Sequence, residues 1–204
     1  MAPSMQLSKI WKVCPHQGSL FPVRLEIKVK AERDLASRVR EAALLEGDFV
    51  LSSGKKSRFY VDKYLFSTDP ALLRDLAREI SGRLPVGTRR LAGVELGSVP
   101  LVAAAALESG LSYGIVRKSA KGYGTGNRIE GHPFEAGEEV ALIEDVVTTG
   151  AQVLAAAATL EEAGAEVVGI LAVLDRRGED SAVLGNYPFE ALLRMTDLGV
   201  NSGD

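Results

Sequence analysis

Short unbroken apolar runs, separated by helical stretches, fill the second half of this chain, and that alternation excludes most folds. Residues 91–94, 113–116, 140–143 and 167–174 are apolar at successive positions and read as strands covered on both faces. Residues 100–109 and 151–163 carry Ala-rich helical patterns, stopped by Gly110 and Gly164. Strands alternating with helices predict an α/β fold, a parallel sheet flanked by helices with right-handed crossovers. Sheets of this kind bind ligands beyond the carboxyl ends of their strands, so the loops that follow the apolar runs are the places to look for function.

Upstream the pattern changes. Residues 1–30 hold Pro3, Pro15 and Pro22, with Trp11 and Cys14 between them, and show no period. They read as an unpatterned extension, and 31–204 as a single domain. Leu35, Val39, Ala42, Ala43 and Leu45 make a helical stripe, which predicts a helix over 32–46 ended by Gly47. Residues 48–62 read as a small N-terminal hairpin, a hood over the domain, with Phe49-Val50-Leu51 and Phe59-Tyr60-Val61 flanking Ser53-Gly54-Lys55-Lys56. Asp69 and Pro70 supply an N-cap and a first helical position, and Leu72, Leu73, Leu76 and Ile80 carry that helix to Gly82. Residues 119–137 contain Gly122, Gly124, Gly126, Gly131 and Gly137 and read as a long loop.

Composition removes several classes of function. A chain of 204 residues buries a core without staples, and its single cysteine, Cys14, excludes an internal disulfide. The formal net charge of -3 argues against a broad nucleic-acid grip. No apolar run approaches the roughly 20 residues of a membrane span. The N-terminus lacks the pattern of a secretory signal, so the expected location is the cytoplasm. His16 and His132 are isolated, and no metal site held by the protein alone is expected.

The chemistry concentrates in Val140-Ala141-Leu142-Ile143-Glu144-Asp145-Val146-Val147-Thr148-Thr149-Gly150, with a helix beginning at Ala151 and Gln152. A buried strand runs into two carboxylates, then into hydroxyls, a glycine and a helix N-terminus. The exposed N–H groups and dipole of such a terminus attract a phosphate, and Gly150 lets the backbone approach it closely. Two acids would repel that phosphate, so they suit the hydroxyls of a ribose, from which carboxylates accept hydrogen bonds. An ordinary capped turn explains the hydroxyls and glycine. It leaves two consecutive acids at the mouth of a buried strand without a purpose.

Residues 143–150 resemble the phosphoribosyl-diphosphate motif of type I phosphoribosyltransferases: apolar residues, two acids, two apolar residues, Thr, a small residue, Gly. Three more segments fall into the family's order. Phe49-Val50-Leu51-Ser52-Ser53-Gly54-Lys55-Lys56-Ser57-Arg58-Phe59-Tyr60-Val61-Asp62 resembles the N-terminal hairpin of the orotate phosphoribosyltransferases. Arg117-Lys118-Ser119-Ala120-Lys121-Gly122-Tyr123-Gly124 resembles their catalytic loop. Leu174-Asp175-Arg176 resembles the strand end that meets the orotate carboxylate. The likeness covers about 32–200.

That resemblance implies transfer of a phosphoribosyl group from phosphoribosyl diphosphate to orotate. Lys121 and Asp145 would be the catalytic residues. Arg117, Lys118, Lys121, Tyr123, Glu144, Asp145, Val146, Val147, Thr148, Thr149, Gly150, Ala151 and Gln152 would bind the donor. Thr148, Arg176, Tyr60, Val61 and Ser52 would face orotate. Magnesium (Mg2+) would enter mainly on the oxygens of the diphosphate, keeping several waters. The family also implies a homodimer in which the loop lysine, here Lys121, reaches the partner's site. Three positions depart from the usual pattern: Tyr123 replaces a histidine, Ser52 a lysine found in some members, and Glu95-Leu96-Gly97-Ser98 a Tyr-Lys pair. Residues 93–100 read as a loop that faces the pyrophosphate with backbone donors. Two other readings stay open: a phosphoribosyltransferase for another base, and a regulator that senses phosphoribosyl diphosphate without catalysis.

Overall fold

The computed structural model describes residues 11–13, 20–22, 34–50, 56–119, 128–178 and 181–200. The chain forms two units, residues 1–33 and 34–204. In the first, β1 (Trp11–Val13) and β2 (Leu20–Pro22) pair antiparallel, with Trp11 opposite Pro22. Strands of three residues are too short to leave a period in the sequence.

The second unit opens with α1 (Leu35–Ala43), capped by the Asp34 carboxylate, which accepts the Ser37 N–H at 2.8 Å. Val39 and Ala43 are its buried face. The helix stops well before Gly47, contrary to the sequence expectation. Leu44 turns extended, and β3 (Leu44–Val50) pairs antiparallel with β4 (Lys56–Val61), Leu44 opposite Val61. Gly47 lies in a bulge between Glu46 and Phe49, so it relieves a strand irregularity and does not end a helix. Asp62 caps the short α2 (Lys63–Ser67) by accepting the Tyr64 N–H at 3.0 Å. Asp69 caps α3 (Pro70–Gly82) through the N–H groups of Ala71 and Leu72, at 3.0 and 2.7 Å.

The sheet then builds in alternation: β5 (Arg90–Val94), α4 (Val99–Ser109), β6 (Tyr113–Val116), β7 (Ile129–Glu130), β8 (Glu138–Val147), α5 (Ala151–Glu162), β9 (Ala165–Asp175), β10 (Val183–Leu184) and β11 (Tyr187–Arg194). The order is β10-β11-β9-β8-β5-β6-β7. The five inner strands are parallel, and β7 and β10 run antiparallel at the edges. The expected α/β parallel sheet is therefore present. β7 falls inside the stretch that reads as a long loop, and β10 and β11 lie beyond residue 174, where the sequence predicts no strand.

Alternation along each strand explains the unbroken apolar runs. Leu91, Ala141, Ile143, Leu171 and Val173 pack on one face with Leu72, Leu76 and Ile80 of α3 and Leu101 and Val102 of α4. Ala92, Val140, Leu142, Ile170 and Ala172 pack on the other with Val153, Ala156, Ala157 and Leu160 of α5. Both faces are covered by helices, so apolar residues fill both register positions along the middle of each strand. From β5 the chain first adds β6 on one side and then returns to place β8 on the other. The loops leaving β5 and β8 consequently diverge in opposite directions, which opens a crevice between them at the carboxyl end of the sheet.

Candidate active site

Sequence reasoning gave Val140 to Ile143 as the strand and set the two acids at its mouth. In the structure β8 continues to Val147, held by β9 partners that set Val146 opposite Leu174 and Val147 opposite Asp175. Glu144 and Asp145 are therefore strand residues, 4% and 2% exposed, and not the mobile acids of a surface turn. Rigid backbone fixes their positions in advance of any ligand.

Each acid is held differently. The Asp145 N–H donates to Glu144 Oε1 at 2.9 Å, while Glu144 Oε2 has no hydrogen-bond partner among the described residues. Burial, with the neighbouring Asp145 charge, pushes the Glu144 carboxyl up to about 8. Asp145 Oδ1 accepts the Val146 N–H at 2.6 Å, and Oδ2 lies 2.8 Å from the Lys63 ammonium. Burial works to lower the Lys63 pKa, but its hydrogen bond to Asp145 and the Asp145 charge outweigh it, and the net shift is upward. Lys63 stands at the first turn of α2, and nothing in the sequence spacing links it to β8.

Beyond β8 the chain turns through Thr148 and Thr149, both exposed, to Gly150 at φ 81° and then enters α5. Gly150 offers no side-chain cap, and Thr149 Oγ1 accepts the Ala151 N–H only at 3.4 Å. The helix therefore presents its first amides outward, the arrangement an oxyanion needs. Lys63, Glu144, Asp145, Thr148, Thr149 and Gly150 line a small cavity of about 70 Å3 here. A larger hollow, about 400 Å3, lies beside Phe134 and Thr159 at the opposite end of the sheet, and no pair of carboxylates lines it.

The loop after β5 closes one wall. Gly97 sits directly against the Asp145 carboxylate and beside the Lys63 side chain. Glu95 reaches the other way: its Oε1 accepts the Lys118 N–H at 2.6 Å. Arg117, at the end of β6, donates its N–H to the Arg128 carbonyl at 2.7 Å, and its guanidinium lies 3.5 Å from Glu130. The basic segment thus starts from an anchored backbone. Lys121 and Tyr123 lie outside the described residues, as does Ser52 of the hairpin.

Arg176 follows β9, and its N–H donates to the Val147 carbonyl at 2.8 Å, which sets it beside Thr148. Burial lowers the pKa of its guanidinium, and Tyr60 is the group that pulls it back up. A charged group in that state gains by meeting an anion. Its neighbour Arg177 is committed elsewhere, with Nε and Nη2 on the Asp175 carboxylate at 3.0 and 2.9 Å and its guanidinium over the Phe189 ring at 4.4 Å. The Tyr60 ring is 5.5 Å from that of Phe49 and is 40% exposed. Val61 is 5% exposed and packs in the core, so any ligand near it meets backbone. The structure therefore brings together Glu144, Asp145, residues 146–152 and Arg176, with Tyr60 within electrostatic reach of Arg176. Sequence reasoning missed Lys63 and the packing of Gly97.

Known proteins resemble this chain in sequence and fold. Residues 69–187 match the family described as the phosphoribosyl transferase domain. The orotate phosphoribosyltransferase of Methanocella arvoryzae is 46% identical over 154 residues, covering 74% of this chain and 87% of that one. The crystal structure of orotate phosphoribosyltransferase from Aeropyrum pernix superposes with a TM-score of 0.70 at 29% identity, over 81% of this chain and 96% of that one. The enzyme of Mycobacterium tuberculosis in complex with 5-phospho-alpha-D-ribosyl 1-diphosphate gives 0.64 at 28% identity, over 81% and 97%.

Proposed function

The chain belongs to the orotate phosphoribosyltransferases of the phosphoribosyl transferase family, and from that membership we infer that it converts orotate and phosphoribosyl diphosphate into orotidine 5′-monophosphate and pyrophosphate. The observation that carries the reading is the pairing of two buried strand carboxylates with an uncapped helix N-terminus across one small cavity. A ribose 5-phosphate has matching chemistry, hydroxyls for the acids and an oxyanion for the amides.

Each residue then has a task. Glu144 and Asp145 hold the ribose, and the backbone of Val146, Val147, Thr148, Thr149, Gly150, Ala151 and Gln152 receives the 5-phosphate. Arg117, Lys118 and Lys121, with Tyr123, meet the pyrophosphate. Its charge grows as the bond from the ribose carbon to oxygen breaks, so cations there favour the transition state over the ground state. Tyr123 donates a hydrogen bond without titrating near neutral pH. Arg176 receives the orotate carboxylate in a planar fork, and Thr148, Tyr60, Val61 and Ser52 border the base. The base nitrogen, the ribose carbon and the departing oxygen then lie in line, and positioning supplies much of the rate.

Magnesium suits this site as a companion of the donor. The described residues contain no cluster of three His, Cys, Asp or Glu that could cage a metal, and the unpartnered Glu144 Oε2 can accept from the ion's water shell. Bound on the diphosphate, the ion would offset part of its negative charge. Lys121 acts in this reading across a homodimer, from one protomer into its partner's site. Mixing Lys121→Ala protein with Asp145→Asn protein tests that arrangement: a mixture that recovers no activity over either parent rules it out.

The decisive assay follows orotate loss by absorbance with phosphoribosyl diphosphate and magnesium, with uracil, adenine and hypoxanthine in parallel. Donor-dependent loss of orotate is expected. Turnover of another base in its place moves the substrate and keeps the cradle. Silence with every base, despite donor binding, points to a sensor.

A further inference from the structure

Lys63 does not belong to the strand–turn–helix cradle, yet its ammonium reaches the most buried acid there, 2.8 Å from Asp145 Oδ2. Asp145 is 2% exposed and the Lys63 side chain 31%, so one partner is locked and the other borders solvent. Three contacts place the lysine. The Asp62 N–H donates to the Ala43 carbonyl at 2.9 Å, the Asp62 carboxylate caps α2, and Phe66 is fully buried. Gly97 closes the other side, where its missing side chain leaves room for both the Asp145 carboxylate and the Lys63 stem. A buried carboxylate beside a second acid is costly without a cation, and removing a cation from such a pair leaves an uncompensated charge. The arriving donor is itself a polyanion, and the Asp145 carboxylate without its cation would repel it.

We propose that Lys63 is a positioning residue for donor binding: its ammonium holds the Asp145 carboxylate in the place where the ribose hydroxyls will bind, and yields that carboxylate when the donor arrives. The inference rests on the reading of the site as a ribose 5-phosphate cradle. The carboxylate is pre-oriented, so the ribose does not have to organise it. The ammonium stays within the cavity after the exchange, because α2 is pinned, and keeps the local charge tolerable for the phosphates. The same short segment carries Tyr60, within electrostatic reach of Arg176, so one stretch of chain borders both the ribose carboxylate and the base pocket.

The test is calorimetric titration of ribose 5-phosphate into the wild-type protein, Lys63→Met and Lys63→Arg, alongside steady-state kinetics. Lys63→Met is expected to weaken ribose 5-phosphate binding about tenfold, near 1.4 kcal/mol, and to raise KM for the donor more than it lowers kcat. Lys63→Arg is expected to recover most of that loss. A double-mutant cycle with Asp145→Asn should be strongly non-additive, since the lysine acts through that carboxylate. Three results overturn the proposal: binding by Lys63→Met equal to wild type, equal losses in Lys63→Met and Lys63→Arg, or tighter binding by Lys63→Met, which would make the lysine a plug. Should Lys63→Met fail to fold, Lys63→Gln replaces it in the same cycle, and additivity there overturns the proposal as well. Ribose 5-phosphate binding requires no base and no turnover. A wild-type protein that binds it but leaves orotate untouched removes the orotate reading and leaves this inference to its own result.

Discussion

Gly97 and Asp145 touch so closely that the glycine has no space for a side chain: a Cβ built on it would overlap the Oδ2 atom of the carboxylate. The loop after β5 and the acid on β8 therefore form one packed unit across the crevice between the diverging loops. Gly97→Ala is expected to push the Asp145 carboxylate aside while leaving the sheet folded. A displacement near 1 Å in a reacting site lowers rate by about a hundredfold, so kcat/KM should fall by about that factor with little change in melting temperature. Kinetics near wild type would show that the loop yields instead.

Glu144 makes stability depend on pH. Its folded pKa, raised to about 8 by burial and the neighbouring Asp145 charge, lies above the ordinary carboxylate value of 4.5. Between those values the folded state keeps a proton that the unfolded chain gives up. The contribution of this group is thus complete below about 4.5 and is lost as pH rises toward 8. The slope is at most about 1.4 kcal/mol per pH unit. Glu144→Gln cannot ionise, so its melting temperature should exceed that of wild type near pH 8 and converge with it near pH 5. Parallel curves across that range would contradict the assignment.

Arg176 should matter to the base and not to the donor. Its half-buried guanidinium is available to a carboxylate, whereas Arg177 is occupied by Asp175. Arg176→Gln is expected to raise KM for orotate by roughly ten- to a hundredfold, the range for losing a charged hydrogen bond of about 1.5–3 kcal/mol. Ribose 5-phosphate affinity should stay within about twofold, a difference under 0.5 kcal/mol. Arg176→Lys should recover only part of the loss, because a point charge does not reproduce the fork. Equal damage to orotate and ribose 5-phosphate binding would place Arg176 in the cradle.

Asp69 offers a stability change separable from function. Its carboxylate satisfies two amides at the start of α3, and Asp69 does not line the cavity that Lys63, Glu144 and Asp145 share. Asp69→Ala is expected to lower unfolding free energy by about 1 kcal/mol. Denaturant titration should show that shift with KM for both substrates unchanged.

Much of this protein is legible in its sequence. The strand at 140–143, the helix that follows it and the cradle between them carry their own local signals: period, glycine, hydroxyls and paired acids. Asp69-Pro70 announced α3 for the same reason, since a cap acts over a single turn. Errors occurred where tertiary pairing overrode local pattern. Leu45 continues a helical stripe in sequence and Gly47 reads as its stop, yet the ladder that sets Leu45 opposite Tyr60 and Glu46 opposite Phe59 claims that segment for a strand. Glu144 and Asp145 mark the strand's mouth in sequence, and only pairing with β9 carries the strand past them to Val147.

By itself the sequence determined the α/β alternation and the strand–turn–helix that carries the paired acids, because each depends on residues within a few positions of one another. The tertiary structure alone decided that Lys63 meets Asp145, that Gly97 closes over both, and that Arg176 and Arg177 take different partners. Those contacts join segments distant in the chain, or choose between adjacent and chemically identical side chains. Only the packed sheet, by fixing which strand lies beside which, makes that choice.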